Sequence, residues 1–217
     1  MKLKLWHRWV WVVVVAPLLV GCAVGNRHAY HTVVAAAAVS GAGQIGIVTH
    51  DQRPYVLSGN KEPQFVGLQR GGYGNPFDVR TGENRPLADD MTQALANSLK
   101  QKGFQAVPII VAHSENPDRV RERLAQSGAP RGLLLTLREW KSDTFSNTSL
   151  VYDVTLRVLD ASGQVLGEKR LQGDDNLGGD FLNPPGHARE AVPRAFKAKL
   201  EALLNDESIV RALRASP

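Results

Sequence analysis

The chain has 217 residues, of which 43% are hydrophobic and 22% charged, and its formal net charge is +5. Three of the 26 lysines and arginines lie in residues 1–21 and none of the 21 acidic residues does, so the remainder carries 23 basic and 21 acidic residues, a net charge of +2. So small a charge excludes the basic surface with which proteins bind nucleic acid. The remaining length suits one domain with its own core.

The N-terminus is predicted to be an export signal. Basic residues open the chain, and an apolar run over residues 9–20 follows and ends in small residues, which is the layout of a secretory signal. A transmembrane helix needs about 20 apolar residues, whereas this run is shorter and contains Pro17. We therefore predict a signal peptide over residues 1–21.

The residues that close this run are Leu19-Val20-Gly21-Cys22, which resemble the lipobox of bacterial lipoproteins. The resemblance implies that Cys22 is the lipidated first residue of the mature chain, with acyl chains such as palmitate holding it to a membrane. In that family a residue other than Asp after the cysteine, here Ala23, implies the periplasmic face of the outer membrane. Cys22 is also the only cysteine, which excludes an intramolecular disulfide or a zinc–thiolate cluster.

Residues 22–42 are predicted to be the lipidated tether between this anchor and the domain. The segment is rich in small residues, and we interpret His28 and His31 as solvated side chains that hold no metal. Residues 32–39 fit a short strand equally well. The periplasmic domain is then expected to occupy residues 43–217.

The first elements of this domain are short strands. Residues 44–50 are mostly apolar and β-branched, which predicts a strand. The β-prone residues 55–57 and 64–68 predict a hairpin whose turn is formed by the turn-forming residues between them. Residues 70–85 show no periodicity and are rich in turn-forming residues, which predicts a long loop.

That loop is the candidate partner-binding site, because two aromatic side chains and an arginine among glycines are typical of a recognition surface. The candidate residues are Arg70, Tyr73, Asn75, Phe77 and Asp78. An alternative interpretation is that the glycines make tight turns while Tyr73 and Phe77 hold the loop against the core.

The helix after this loop has the clearest pattern in the chain. Leu87, Met91, Leu95 and Leu99 recur every four residues and therefore share one face, and Gly103 is expected to end the helix. Further helices are predicted over residues 117–127, from residue 188 onward, and after residues 205–206. Strands are predicted over residues 104–111, 132–140, 150–160 and 164–172, with a hairpin turn at 160–163.

The order of these elements predicts a single α+β domain. Because residues 150–160 alternate between apolar and polar, only one face of that strand is expected to be buried, as in antiparallel sheets. We therefore predict a mixed, mostly antiparallel sheet with helices packed on one face.

No sequence motif predicts catalysis, a metal site or a cofactor. Residues 41–46 match the G-x-G-x-x-G pattern, but these glycines lead into a strand instead of a helix, so we expect no dinucleotide. Residues 174–180 resemble a calcium loop in which two ligand positions fail, and we expect a polar connection there. The alternative to a binding protein is an enzyme or small-ligand binder acting on cell-wall or lipid substrates, with candidates Asp78, Asp89, Asp90 and His113.

Three stretches of the domain resemble uncharacterised proteobacterial lipoproteins: residues 66–79, 87–91 and 196–206. More loosely, residues 43–111 are similar to YajG-like lipoproteins and to the N-terminal module of TolB. The resemblance implies no catalytic residues. It implies a non-enzymatic, lipid-anchored periplasmic module that docks on a protein partner in envelope assembly or transport.

Overall fold

The computed structural model describes residues 25–214, so the predicted signal peptide and Cys22 lie outside the described residues. Within the described part, no helix is both long and apolar enough to cross a membrane.

These residues form one mixed sheet of eight strands together with five helices. The strands are β1 (Arg27–His28), β2 (Gln44–Asp51), β3 (Phe65–Arg70), β4 (Pro76–Thr81), β5 (Gln105–Ile109), β6 (Arg131–Thr144), β7 (Asn147–Asp160) and β8 (Val165–Gly179). The helices are α1 (Pro54–Leu57), α2 (Leu87–Lys100), α3 (Pro117–Gln126), α4 (Pro184–Leu204) and α5 (Glu207–Arg214), and a 3-10 turn covers Tyr30–Thr32.

Strand β6 organises the sheet. The first half of β6 pairs in parallel with β2, which in turn pairs with β5, and the end of β6 pairs in parallel with β3 along the same edge. The opposite edge of β6 pairs with β7 along its whole length, and β7 pairs with β8, both antiparallel. The expected α+β domain with a mixed sheet is confirmed.

The main core lies between the sheet and helices α2, α4 and α5. The predicted stripe of α2 is fully buried there, since Leu87, Met91, Leu95 and Leu99 are at most 1% exposed. The predicted inward residues of β7 and α4 join the same core, as the apolar periodicity of both segments requires.

One helix departs from the expectation that all helices pack on one face. Val120 and Leu124 of α3 pack on the opposite side of the sheet, in a second core with Val48 and Leu134. Because Ile47 and Leu133 face the main core, strands β2 and β6 are buried on both faces. Their continuous apolar runs, in place of an alternation, are the sign of that arrangement.

The structure corrects the predicted tether over its described part, residues 25–42. Tyr30, Ala35, Ala37 and Val39 are buried in the main core, and the two-residue strand β1 pairs with β4. Side chains of two helices satisfy the backbone of this segment: Ser98 Oγ accepts a hydrogen bond from the amide of Ala35, and Asn205 Oδ1 accepts one from Ala38. His28, expected to be solvated, is only 2% exposed.

Two local predictions are also wrong. Residues 55–57 belong to helix α1, which Pro54 starts, so the hairpin is formed by β3 and β4 instead. The predicted loop 70–85 therefore contains a strand, β4.

The last strand is longer than expected. Residues 174–179 are part of β8, because β7 continues beside them and supplies backbone partners for a polar segment. The confirmed turn at 160–163 joins the two strands, with Asp160 Oδ1 accepting from the amides of Ser162 and Gln164.

Candidate interaction surface

The five predicted partner-binding residues lie at the tip of the β3–β4 hairpin and on its two strands. Residues 71–75 form the turn, which closes with a 2.9 Å hydrogen bond from the amide of Gly71 to the carbonyl of Asn75. Tyr73 stands at the tip with its side chain fully exposed. Tyr73 therefore does not hold the loop against the core, and its exposure agrees with the interpretation of the loop as a recognition surface.

Three of the other predicted residues have partners within the domain. Arg70 donates two hydrogen bonds to the carboxylate of Asp143 in β6, at 2.8 and 2.6 Å. Asp78 accepts from Lys61 at 2.5 Å. Phe77 is half-buried on β4, where its ring faces the backbone at Gly71 and so holds the hairpin in shape.

Three more apolar side chains are exposed at the end of the sheet where Tyr73 lies. Phe145, in the β6–β7 turn, is 50% exposed, whereas Phe181 and Leu182, which follow β8, are 88% and 92% exposed. The strand register brings the three loops to this end. Gln69 of β3 pairs with Thr144 of β6, directly before both turns, and Gly179 pairs with Asn147. We call Tyr73, Phe145, Phe181 and Leu182 the apolar end.

The N-terminal segment enters the domain at the apolar end. Strand β1 runs parallel to β4, with Arg27 opposite Arg80, so the residues before Arg27 extend toward the tip of the β3–β4 hairpin. Gly25 lies against the carbonyl of Asp78. The side-chain amide of Asn26 donates to the carbonyl of Pro185 at 2.7 Å, close to the 181–182 loop.

A second surface feature is a groove of about 390 Å³ on the opposite face of the sheet, beside α3. Its floor comes from three neighbouring strands, because His50 of β2 pairs with Thr136 of β6 and Leu134 pairs with Arg157 of β7. The groove is lined by His50, Gln52, Pro54, Pro117, Arg121, Leu134, Thr136, Arg138 and Arg157, and we call it the basic groove.

The charges of the basic groove are partly neutralised. Arg121 pairs with Asp118 on α3 and Arg157 pairs with Glu168 on β8. Arg138 donates a 3.3 Å hydrogen bond to Thr155 Oγ1, and its positive charge helps to lower the pKa of Asp153. Burial lowers the pKa of His50, and hydrogen bonds with the backbone of Glu115 and His113 act against that lowering. The groove offers cationic and neutral donors, which suit an anion.

The residues considered for catalysis do not share this groove. Asp78 is paired at the hairpin, and none of Asp89, Asp90 and His113 lines the groove. The carboxylate of Asp90 is fully buried, 3.0 Å from the guanidinium of Arg85 and 3.6 Å from the imidazole of His31. Burial raises the pKa of Asp90 and of Asp89, while Arg85 lowers both. Among the described residues, no three metal-ligating side chains are placed to hold an ion.

Phe145, Phe181 and Leu182 are functional candidates that sequence reasoning missed. Residues 180–185 have the sequence Asp-Phe-Leu-Asn-Pro-Pro, in which two large apolar side chains stand among turn-forming residues. An apolar pair that belongs to no period is the signal that was available there. The proximity of these side chains to Tyr73 depends on strand register, which the sequence does not specify.

Comparison with known proteins adds little to this geometry. No family model matches the chain, and no curated protein does. Among solved structures, the chain is similar to a Xanthomonas campestris protein of the DUF330 family, with 12% identity, 78% of this chain and 90% of the other covered, and a TM-score of 0.47. It is similar to PelC from the Paraburkholderia phytofirmans dodecamer, with 14% identity, coverage of 85% and 96%, and a TM-score of 0.40.

A third similar structure is lipoprotein GNA1162 from Neisseria meningitidis, with 14% identity, 72% of this chain and 99% of the other covered, and a TM-score of 0.28. All three identities are below 25% and all three TM-scores are below 0.5.

Proposed function

We propose that the protein is a lipoprotein of the bacterial envelope, attached through Cys22 to the periplasmic face of the outer membrane. It acts there by binding, as a non-enzymatic interaction module in envelope assembly or transport. The observation that carries this proposal is the apolar end, where Tyr73, Phe181 and Leu182 are almost wholly exposed. Large apolar side chains grouped on a surface mark interaction sites in soluble domains.

The chemistry of the apolar end supports a binding role. Tyrosine and phenylalanine supply large contact areas and lose little conformational entropy on binding, because each has two side-chain torsions. The charged residues beside them, such as Arg70 and Asp78, are already paired within the domain. Burying this surface in a contact with the envelope therefore leaves few charges without a counter-ion.

The anchor is tested by fractionation of cells that produce the full chain. Cys22→Ala removes the thiol that lipidation needs, so we expect the variant to move from the membrane fraction to the soluble periplasmic fraction. The same variant is also made with a signal peptide that is cleaved without lipidation, so that no uncleaved signal anchors it. If that chain sediments with membranes as fully as the parent chain, a lipid on Cys22 is not what holds the protein there.

The contact surface is tested by crosslinking in living cells. A photoreactive amino acid at position 73 is expected to form adducts with an envelope component, identified by mass spectrometry. The matched control is position 161, an exposed alanine in the β7–β8 turn at the other end of β7. Equal adduct formation at both positions, or none at 73, would contradict the proposal.

The basic groove supports a second candidate function, a binder or enzyme for small anionic ligands. Arg138 lines the groove with Thr136 and His50 and contributes a positive charge there. Calorimetry with inorganic phosphate is expected to detect binding that Arg138→Gln abolishes. Arg119→Gln, which removes an arginine paired with Glu122 on α3, is the control. Absence of binding heat in the parent chain would remove this candidate.

A further inference from the structure

We propose that the apolar end lies in the interfacial region of the lipid bilayer, so that the domain rests on the membrane by this end. The proposal rests on the proposed function in one respect, the lipid on Cys22. It goes further in naming what the exposed side chains contact, which is lipid.

The first argument is the length of chain between the lipid and the domain. Cys22 and Gly25 are three residues apart, and three residues span at most about 11 Å in any conformation. A lipid on Cys22 therefore holds Gly25 within about that distance of the membrane surface. Since residues 25–39 are packed on the domain, no long tether separates the domain from the bilayer.

The second argument is where the chain reaches the domain. Gly25 lies against Asp78, near the tip of the β3–β4 hairpin, and Asn26 is bound to Pro185 near the 181–182 loop. These contacts place Gly25 and Asn26 beside two of the three loops that form the apolar end. The end of the domain at which the chain leads toward Cys22 is thus the end that carries Tyr73, Phe181 and Leu182, the three most exposed large apolar side chains among the described residues.

The third argument is the chemistry of that end. Tyrosine is favoured at the boundary between lipid and water, because its ring is apolar and its hydroxyl is polar. Phe145, Phe181 and Leu182 supply apolar side chains for the acyl region. The nearby carboxylate of Asp180 accepts hydrogen bonds from the amides of Leu182 and Asn183, which ties the loop into a fixed shape.

The fourth argument is that two signals hold a protein to a membrane better than one. Reversible membrane binding by a single acyl chain becomes stable when a second attachment is added. An apolar end a few residues from the lipid acts at high local concentration and also fixes the orientation of the domain.

The test uses the full chain, purified with its lipid and reconstituted in vesicles of phosphatidylethanolamine and phosphatidylglycerol. Because Cys22 is the only cysteine, a lipidated parent chain has no free thiol, and an introduced cysteine can be labelled alone with the environment-sensitive dye NBD. We compare Tyr73→Cys and Phe181→Cys with Ala161→Cys. The turn at 161 lies at the far end of β7, roughly 45 Å from the β6–β7 turn.

We expect the dye at positions 73 and 181 to emit several-fold more brightly and at shorter wavelength in vesicles, and to be quenched by lipid-attached quenchers. The dye at 161 should behave as in water. Water-like emission at 73 and 181 in a lipidated chain would overturn the inference. So would a change at 73 that appears only in membranes retaining their proteins, because it would identify a protein as the occupant.

The dependence on the proposed function is read separately. A parent chain that takes up the dye has a free thiol on Cys22, which would overturn the proposed function and the inference with it. A parent chain that takes up no dye, combined with water-like emission at 73 and 181, overturns the inference and leaves the anchor in place.

Discussion

His28 is a titratable side chain that the fold keeps uncharged. Its ring is 2% exposed, stands edge-on to Tyr30 with centroids 5.8 Å apart, and leaves Nδ1 without a hydrogen-bond partner. Burial and, to a smaller extent, the nearby positive charge of Arg189 lower the pKa of His28 from 6.5 to about 4. The folded protein therefore resists a proton that the unfolded chain accepts.

The consequence is a pH-dependent stability. The imidazole of the unfolded chain takes up a proton below about pH 6.5, whereas that of the folded chain does so only near pH 4. The neutral imidazole therefore contributes fully to the stability of the folded protein above pH 6.5, and this contribution is lost as the pH falls toward 4. Between pH 7 and pH 5 this histidine should cost about 2 kcal/mol of unfolding free energy. In urea unfolding, the free energy of unfolding of His28→Phe should fall between pH 7 and pH 5 by about 2 kcal/mol less than that of the parent chain.

The control for this experiment is His113→Phe, which removes a histidine from a loop and leaves His28 in place. We expect it to keep the pH dependence of the parent chain. If His28→Phe and the parent lose the same free energy between pH 7 and pH 5, the buried imidazole is not the cause.

Gly67 is a second position where one residue is decisive. Strands β3 and β6 approach so closely there that a Cβ atom on residue 67 would lie 2.5 Å from the carbonyl oxygen of Ser142 and 2.9 Å from its amide nitrogen. Backbone atoms cannot move aside as a side chain does, so Gly67→Ala should lower the free energy of unfolding by roughly 2–3 kcal/mol. Thermal unfolding measures this, and Gly72→Ala, with nothing within 4 Å of its Cβ, should change it little.

At the scale of elements, the segment over residues 25–39 behaves as part of the domain. Tyr30 is fully buried between Trp140 and Phe196, with ring centroids 6.2 and 4.8 Å away, both edge-to-face. The indole of Trp140 donates a 3.1 Å hydrogen bond to the Tyr30 hydroxyl. One side chain thus joins the N-terminal segment to β6 and α4.

Two tyrosines in the chain allow a matched test of this role. Tyr30→Ala should lower the free energy of unfolding by about 3–5 kcal/mol, as truncation of a buried aromatic side chain does. Tyr73→Ala, at the exposed hairpin tip, should change it by less than about 0.5 kcal/mol. Denaturant titrations of both variants measure these free energies. If the two substitutions lower the free energy of unfolding equally, residues 25–39 act as a tether and not as part of the domain.

The sequence predicts those elements whose partners can be inferred from their own periodicity. The stripe on α2 and the alternation in β7 each require one buried face, and both were located correctly for that reason. Residues 25–39 have no such period. Side chains far along the chain, Ser98 and Asn205, hold their backbone amides, and no local pattern indicates these partners. Strand β4 was not predicted because its sequence continues a stretch rich in turn-forming residues, and its extended conformation depends on pairing with β3.

The candidate site follows the same division. The composition of the β3–β4 turn, a property of a few adjacent residues, was enough to single out Tyr73, whose side chain is exposed. The other members of the apolar end come from loops more than 70 residues away in sequence, brought there by the register of β3, β6, β7 and β8. Such a site depends on topology, and no local pattern contains it.

At the scale of the whole molecule, the two ends of the sheet differ in character. One end bears the three most exposed large apolar side chains of the described residues and the entry of the N-terminal segment. At the other end, Asp160 binds Ser162 in a polar β7–β8 turn, and Val165 and Leu166, which follow that turn, are 53% and 41% exposed. The main core nonetheless runs through the entire domain, since it includes Tyr30 near the N-terminus and Leu213 near the C-terminus. A core shared by both ends of the chain should unfold as one unit.

This cooperativity can be measured with a single intrinsic probe. The other three tryptophans lie within residues 1–21, so in a chain that begins at Cys22 the only tryptophan is Trp140, at the centre of the core and 1% exposed. Urea transitions followed by Trp140 fluorescence and by far-UV circular dichroism should therefore coincide in midpoint and slope. Tyr30→Ala should shift both curves together. If the fluorescence transition came first in that variant, the N-terminal segment would be a separately unfolding layer, and the domain would begin after it.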